Sequence, residues 1–190
     1  MMKLNNISVA FEGKQVLKNF TCTIAPKGLT AVVGESGSGK TTLFRVMCGL
    51  QKPDSGRVEQ APARIAYAFQ EPRLLPWLNG LQNVMSVSDQ KDEARAIYLL
   101  NKLGISNEDA KKLPAKLSGG MRQRVAIARA LYYNADMYLF DEAFAGLDID
   151  NINKVIALLK EKSKSAAVIV ITHEHADLLS PDQTIVMEKL

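Results

Sequence analysis

Apolar residues along this chain fall into short continuous runs, separated by longer stretches in which they recur at helical spacing. That pattern predicts strands alternating with helices. Leu29-Thr30-Ala31-Val32-Val33, Met137-Tyr138-Leu139-Phe140 and Ala167-Val168-Ile169-Val170-Ile171 read as buried strands, and Arg64-Ile65-Ala66-Tyr67-Ala68-Phe69 as another short one. Thr184-Ile185-Val186-Met187 adds an edge strand. Between them, Leu43, Val46, Met47 and Leu50 mark a helix with Gly49 at its stop, and Ala94, Ile97, Leu100 and Leu103 line one face of a helical region over 80–116 that Pro114 closes. Ser118 is placed to cap a further helix with Val125, Ala128 and either Leu131 or Tyr132 facing inward, and Ile152, Val155, Ile156 and Leu159 give an amphipathic helix. The first 28 residues differ. Ile7–Phe11, Gln15–Leu17 and the near-alternating Asn19–Ile24, with a turn at Glu12-Gly13-Lys14, predict a small antiparallel sheet, and Pro53-Asp54-Ser55-Gly56 marks a loop.

The residues that follow the strands carry the chemistry. The first buried strand runs into Gly34-Glu35-Ser36-Gly37-Ser38-Gly39-Lys40-Thr41-Thr42, which fits G-x-x-x-x-G-K-[ST] at every fixed position and opens a helix. In that context glycines let backbone N–H groups converge on phosphate oxygens at a helix N-terminus. Lys40 would reach the β- and γ-phosphates of a nucleoside triphosphate, and the Thr41 hydroxyl would take one place on Mg²⁺. The other runs end in Gln70, in Asp141-Glu142 and in Thr172-His173. Parallel strands joined by helices bring their carboxyl ends to one edge, where open α/β sheets bind ligands, so these polar residues are expected around the triphosphate. Asp141 is placed to hold Mg²⁺ through its water shell, Glu142 to orient or deprotonate an attacking water, Gln70 to reach the metal or the water, and His173 to touch the γ-phosphate. The blander readings are a helix-capping or solvated acid pair and a core histidine; buried strands feeding all four positions weigh against them. Phe11, at a strand end, could stack on an adenine ring or simply belong to the core. The backbone of Gly119 and Gly120, behind Ser118, forms a second possible anion site.

Composition adds limits. At 190 residues the chain is expected to form one domain, 1–190, and no apolar run reaches the roughly 18 residues of a membrane span. Met1–Asn6 lacks the apolar core of a signal peptide, so a cytoplasmic protein is expected, with Cys22 and Cys48 as reduced packing residues. The net charge of +4 would suit anionic lipid or nucleic acid, but a solvated basic surface accounts for it more simply. Glu71-Pro72-Arg73-Leu74-Leu75-Pro76-Trp77-Leu78 is an odd stretch: two prolines forbid a regular helix, yet it holds three leucines and the only tryptophan. Composition leaves it either tucked under a neighbouring lobe or awaiting a partner.

With these motifs in place the sequence resembles the ATP-binding-cassette ATPases over nearly its whole length. The discriminating stretch is Leu117-Ser118-Gly119-Gly120-Met121-Arg122-Gln123, similar to that family's signature, followed by Asp141-Glu142, Gly146-Leu147-Asp148 and His173. The resemblance implies an α/β fold: a phosphate-loop NTPase core with a mainly parallel sheet, a small N-terminal antiparallel subdomain and an inserted α-helical subdomain at about 71–133. It implies ATP and Mg²⁺ as cofactors, Phe11 stacking on adenine with Val16 beside it, and a head-to-tail dimer. In that dimer Ser118, Gly119 and Gly120, with Gln123 and Asp148 nearby, meet the nucleotide on the other subunit's phosphate loop. Gln70–Leu78 is similar to the stretch in nitrate, sulfonate and taurine importers that receives an integral membrane permease, which turns the odd loop into a partner surface. The implied protein is an ATPase subunit on the cytoplasmic face of the membrane, working with that permease and an extracytoplasmic solute-binding protein, with no nucleic acid. Its rivals are a soluble ATP-driven clamp on nucleic acid or ribosomes and a catalytically silent dimerisation module. Ala143 stands where the family usually has proline, the short Gln51–Arg64 segment implies a reduced antiparallel part, and with the chain ending soon after His173, autoregulation through a C-terminal domain is not expected.

Overall fold

The computed structural model describes residues 1–172 and 176–190. Its centre is a parallel sheet of β3 (Gly28–Gly34), β5 (Ile65–Ala68), β6 (Met137–Asp141), β7 (Ala167–Ile171) and β8 (Gln183–Met187), ordered β5-β6-β7-β3-β8. The strand at one edge is β8, as its sparser apolar pattern predicts. Alternate side chains point to opposite faces, and both faces are covered, which is why these strands read as apolar runs rather than alternations. Val32, Met137, Leu139, Ile169 and Ile171 pack with α1 (Lys40–Met47) and the N-terminal strands. Ala31, Tyr138, Phe140, Val168 and Val170 pack beneath α2 (Gly80–Met85), α3 (Glu93–Lys102), α4 (Asn107–Ala110), α5 (Gly119–Tyr132) and α6 (Ile149–Ser163). A final short helix, α7, spans Ala176–Leu179. Among the described residues no helix is long and apolar enough to cross a membrane.

Several expectations are refined. The first strands are longer than expected: β1 (Met2–Phe11) and β2 (Lys14–Ile24) pair antiparallel over nearly their whole length. The predicted loop at Pro53-Asp54-Ser55-Gly56 instead leads into β4 (Ser55–Glu59), which pairs with β1 on the side away from β2. Residues 55–57 of β4 are exposed and polar, so it lacks the apolar signal that marks a strand in sequence. Its Gly56 has φ 85°, and a Cβ there would lie 2.3 Å from the Asn6 carbonyl oxygen, where β1 bulges. Leu50 does not extend the buried face of α1: the helix ends at Met47, Gly49 turns with φ 75°, and Leu50 is exposed. The helical region over 80–116 is three helices and a 3₁₀ turn at Pro114–Lys116, interrupted because Asn79, Asp92 and Ser106 each cap a fresh start. On α5, Val125, Ala128, Leu131 and Tyr132 are all buried, and Ser118 caps as its type predicts, its Oγ accepting from Met121 N at 3.2 Å.

Candidate functional site

The glycine loop between β3 and α1 is held closed by steric limits that only glycine meets. Gly39, the N-cap of α1, has φ 93°, and a Cβ on it would sit 2.9 Å from both the Val16 carbonyl oxygen and the Leu17 side chain. At Gly34 a Cβ would come within 2.2 Å of the Met187 carbonyl oxygen. Glu35, Ser36 and Gly37 are exposed along the loop, while Ser38, Gly39, Lys40 and Thr42 are buried. The Lys40 ammonium donates to the carbonyls of Gly34 at 2.9 Å and Glu35 at 2.7 Å, so the loop curls around its own lysine. Burial lowers the Lys40 pKa, and the facing Glu142 and Asp141 carboxylates oppose that shift. The Ser38 hydroxyl is buried in the loop with no hydrogen-bond partner among the described residues.

The acidic pair arrives from β6, two strands away. Asp141, the last residue of that strand, is 2% exposed, and its carboxyl is pushed up by burial while hydrogen bonds from Tyr67 and Thr41 pull it down. Thr41 Oγ1 lies 3.3 Å from Asp141 Oδ1, and Tyr67 donates to Oδ2 at 2.9 Å. Glu142 follows in the left-handed region at φ 51°, rare for a residue with a side chain and common at functional sites. Its backbone N–H donates to the Ile171 carbonyl at 3.1 Å, and Gln70 Nε2 donates to its Oε2 at 2.8 Å. Thus Lys40 and Thr41 of the glycine-loop motif and the strand-end residues Gln70, Asp141 and Glu142 stand together at one edge of the sheet. His173 lies outside the described residues.

A second cluster surrounds the N-terminus of α5. Ser118 and Gly119 are exposed, and first-turn N–H groups there have no intrahelical acceptor. A Cβ on Gly120 would meet the Gly146 carbonyl oxygen and Leu147 at 3.3 Å, so this turn packs on the loop after Glu142. Asp148 caps α6, accepting from Asn151 N at 2.9 Å, which with Asn151 Nδ2 holds its carboxyl below the usual range. Arg124 ties these parts together, its guanidinium donating to the carbonyls of Leu103, Gly104 and Gly120 and to Asn151 Oδ1. Gln123 is buried, and its Nε2 has no partner among the described residues. On the other side of the loop, Val16 is half-buried against Gly39, and Phe11 is 42% exposed at the tip of the β1–β2 hairpin.

The odd loop 71–78 proves to be both tucked and presented. Leu74 packs on the core, whereas Trp77 is 70% exposed. Asn83, fully buried on α2, fixes its shape by accepting from Leu75 N at 2.8 Å and donating to the carbonyls of Leu75, Leu78 and Asn79. Arg129 of α5 donates to the carbonyls of Pro72 at 2.8 Å and Arg73 at 2.9 Å. Sequence reading missed Asn83, Arg129 and Tyr67, because a polar residue inside a helix or strand betrays no partner until the fold supplies one. Replacing Asn83 by Ala is expected to cost about 2–3 kcal/mol by stranding buried backbone groups. A lower urea midpoint with faster proteolysis within 71–78 is the check; an unchanged midpoint contradicts the clamp.

The chain is similar to known proteins in both sequence and fold. The family model described as ABC transporter matches residues 17–145, from β2 through the loop after Glu142. The aliphatic sulfonates import ATP-binding protein SsuB 3 of Nocardia farcinica is 42% identical over 182 residues, 94% of this chain and 73% of that protein. Its counterpart SsuB in Granulibacter bethesdensis is 37% identical over 193 residues, covering 99% of this chain and 80% of its own. A solved dimeric structure of a bacterial ABC transporter cassette superposes with a TM-score of 0.90 at 28% identity, over 99% of this chain and 94% of that one. With its glycine loop, strand-end carboxylates and capped α5 placed as described, the chain belongs to the ABC transporter family.

Proposed function

We propose that this chain is the ATP-hydrolysing subunit of an importer of a small solute such as nitrate, a sulfonate or a taurine-like anion. The observation that carries this reading is the convergence of Lys40, Thr41, Gln70, Asp141 and Glu142 at the carboxyl edge of the parallel sheet. A triphosphate in the glycine loop would draw Lys40 away from the Gly34 and Glu35 carbonyls and give the buried Ser38 hydroxyl a phosphate oxygen to bond. Thr41 and Asp141 offer one hydroxyl and one carboxylate oxygen to a metal. No three His, Cys, Asp or Glu side chains among the described residues converge as a cage. That sparse oxygen set fits Mg²⁺, which takes most of its ligands from phosphate and water. When bound, Mg²⁺ would neutralise charge on the β- and γ-phosphates.

Glu142 then accepts the proton of the attacking water, and the hydrogen bond from Gln70 fixes the carboxylate's direction. Phe11 and Val16 take the adenine side, and the N-terminal turn of α5, with Ser118, Gly119 and Gly120, closes over the γ-phosphate of a second subunit paired head to tail. Gln123 would support that turn from within, and Asp148 would border the same interface. His173, which follows Thr172 in the sequence after β7, completes the γ-phosphate contacts in this reading. Trp77 and its loop would dock an integral membrane permease on the cytoplasmic face, with an extracytoplasmic binding protein choosing the solute.

The test is recovery of the permease from detergent-solubilised native membranes with tagged protein in ATP. An integral membrane protein is expected with the wild type and lost with Trp77→Asp, whose ATP binding stays intact. Recovery of nucleic acid or soluble protein alone would overturn the transporter reading in favour of a soluble clamp.

A further inference from the structure

Among the described residues, Tyr67 holds one member of the acidic pair, yet the proposed reaction gives it no task. It is the third residue of β5, and the parallel register sets it opposite Leu139 of β6, two residues before Asp141. Its ring meets Phe44 of α1 edge-on, with centroids 5.8 Å apart, and stacks on Phe69 at 4.1 Å. The Arg73 guanidinium covers Phe69 in turn at 4.4 Å from the ring centre. An aromatic ring gripped from two sides has little freedom, so its hydroxyl is delivered to a fixed point. That point is Asp141 Oδ2, 2.9 Å away.

The consequence lies in which carboxylate oxygen is used. The terminal torsion of aspartate is broad and roughly two-fold, so an unrestrained carboxylate can turn either oxygen toward a neighbour. Here Oδ2 faces the Tyr67 hydroxyl and Oδ1 faces Thr41, the other oxygen donor of the site. Partners behind a ligating group fix its orientation and tune its affinity, and losing one typically weakens metal binding by about 10–100-fold.

We propose that Tyr67 is a positioning residue for the metal carboxylate: its hydroxyl holds Oδ2 of Asp141 so that Oδ1, beside Thr41, is the oxygen presented to the ion. This rests on the reading of Asp141 as a Mg²⁺ ligand. It adds a determinant from β5, so that the strand leading to Gln70 serves the metal as well as the water. The stack onto Phe69 and Arg73 extends the same support toward the 71–78 loop.

The experiment titrates Mn²⁺ into the full chain, loaded with a non-hydrolysable ATP analogue and freed of excess nucleotide, and follows the paramagnetic resonance signal of the free ion. Tyr67→Phe keeps the ring and its stack while deleting the hydroxyl. It is expected to weaken Mn²⁺ binding about tenfold. The affinity for the analogue in EDTA is expected to stay at the wild-type value. Asp141→Asn, run in parallel, tests the underlying assignment and is expected to weaken Mn²⁺ further. Normal Mn²⁺ binding by Asp141→Asn would remove the metal assignment itself. Normal binding by Tyr67→Phe beside an impaired Asp141→Asn would overturn the role of Tyr67 alone. A Tyr67→Phe protein that loses analogue affinity in EDTA by the same factor as Mn²⁺ affinity would also overturn it, because the hydroxyl would then be packing rather than positioning.

Discussion

Glu142→Gln is expected to bind ATP as the wild type does and to hydrolyse it at least about a hundredfold more slowly, the usual loss when a general base is removed. Shape and the Gln70 contact are kept, since Gln70 Nε2 can donate to an amide oxygen as it does to Glu142 Oε2. What disappears is the capacity to accept a proton. With turnover blocked, the ATP-bound pair of subunits should persist, so the variant is expected to run as a dimer on size exclusion in ATP and as a monomer without it. Hydrolysis at the wild-type rate would transfer the base to another residue. Glutamine also keeps the left-handed backbone at φ 51° no worse than glutamate, so a fall in turnover is not a folding effect.

Lys40→Ala is expected to weaken ATP about a hundredfold, close to 3 kcal/mol, because charge-assisted contacts to phosphate are lost from a buried position. The readout is the thermal shift. Nucleotide at 100 times its dissociation constant should stabilise the wild type by about 2.7 kcal/mol, and at the same concentration the variant should show little shift. The nucleotide-free variant is expected to fold, although the Gly34 and Glu35 carbonyls lose their donor. An undiminished ATP-induced shift in this variant would mean that the loop does not cradle phosphate.

The strands and helices around the site were legible because burial on both faces of a parallel sheet forces unbroken apolar runs, as in Ala167–Ile171. The strand-end residues were legible by topology: once those runs are parallel, Gln70, Asp141 and Glu142 have one edge to share. The fourth β-strand was not, since Ser55-Gly56-Arg57 faces solvent and only its pairing with the first makes it a strand. Tyr67 stayed hidden for a related reason. Its partner is set by the register between two strands, and Tyr67 and Asp141 lie 74 positions apart in sequence, a pairing that local pattern does not encode. Asn83 looks like a surface residue on a short helix until the loop before it folds back over its amide.

The helix from Gly119 to Tyr132 is fourteen residues long, roughly 21 Å at the usual helical rise. Near one end Gly120 rests on the Gly146 backbone, and toward the other Arg129 grips the carbonyls of Pro72 and Arg73. A machine part joined at both ends transmits displacement only if its joints have no slack. Arg129 meets that condition because a half-buried guanidinium that let go of its two carbonyls would lose two charge-assisted hydrogen bonds from a partly desolvated position, so the joint resists slipping. If the N-terminal turn of this helix closes over a second subunit's nucleotide as proposed, the displacement reaching the tryptophan loop would be set by the length and direction of the rod, provided the Arg129 joint holds.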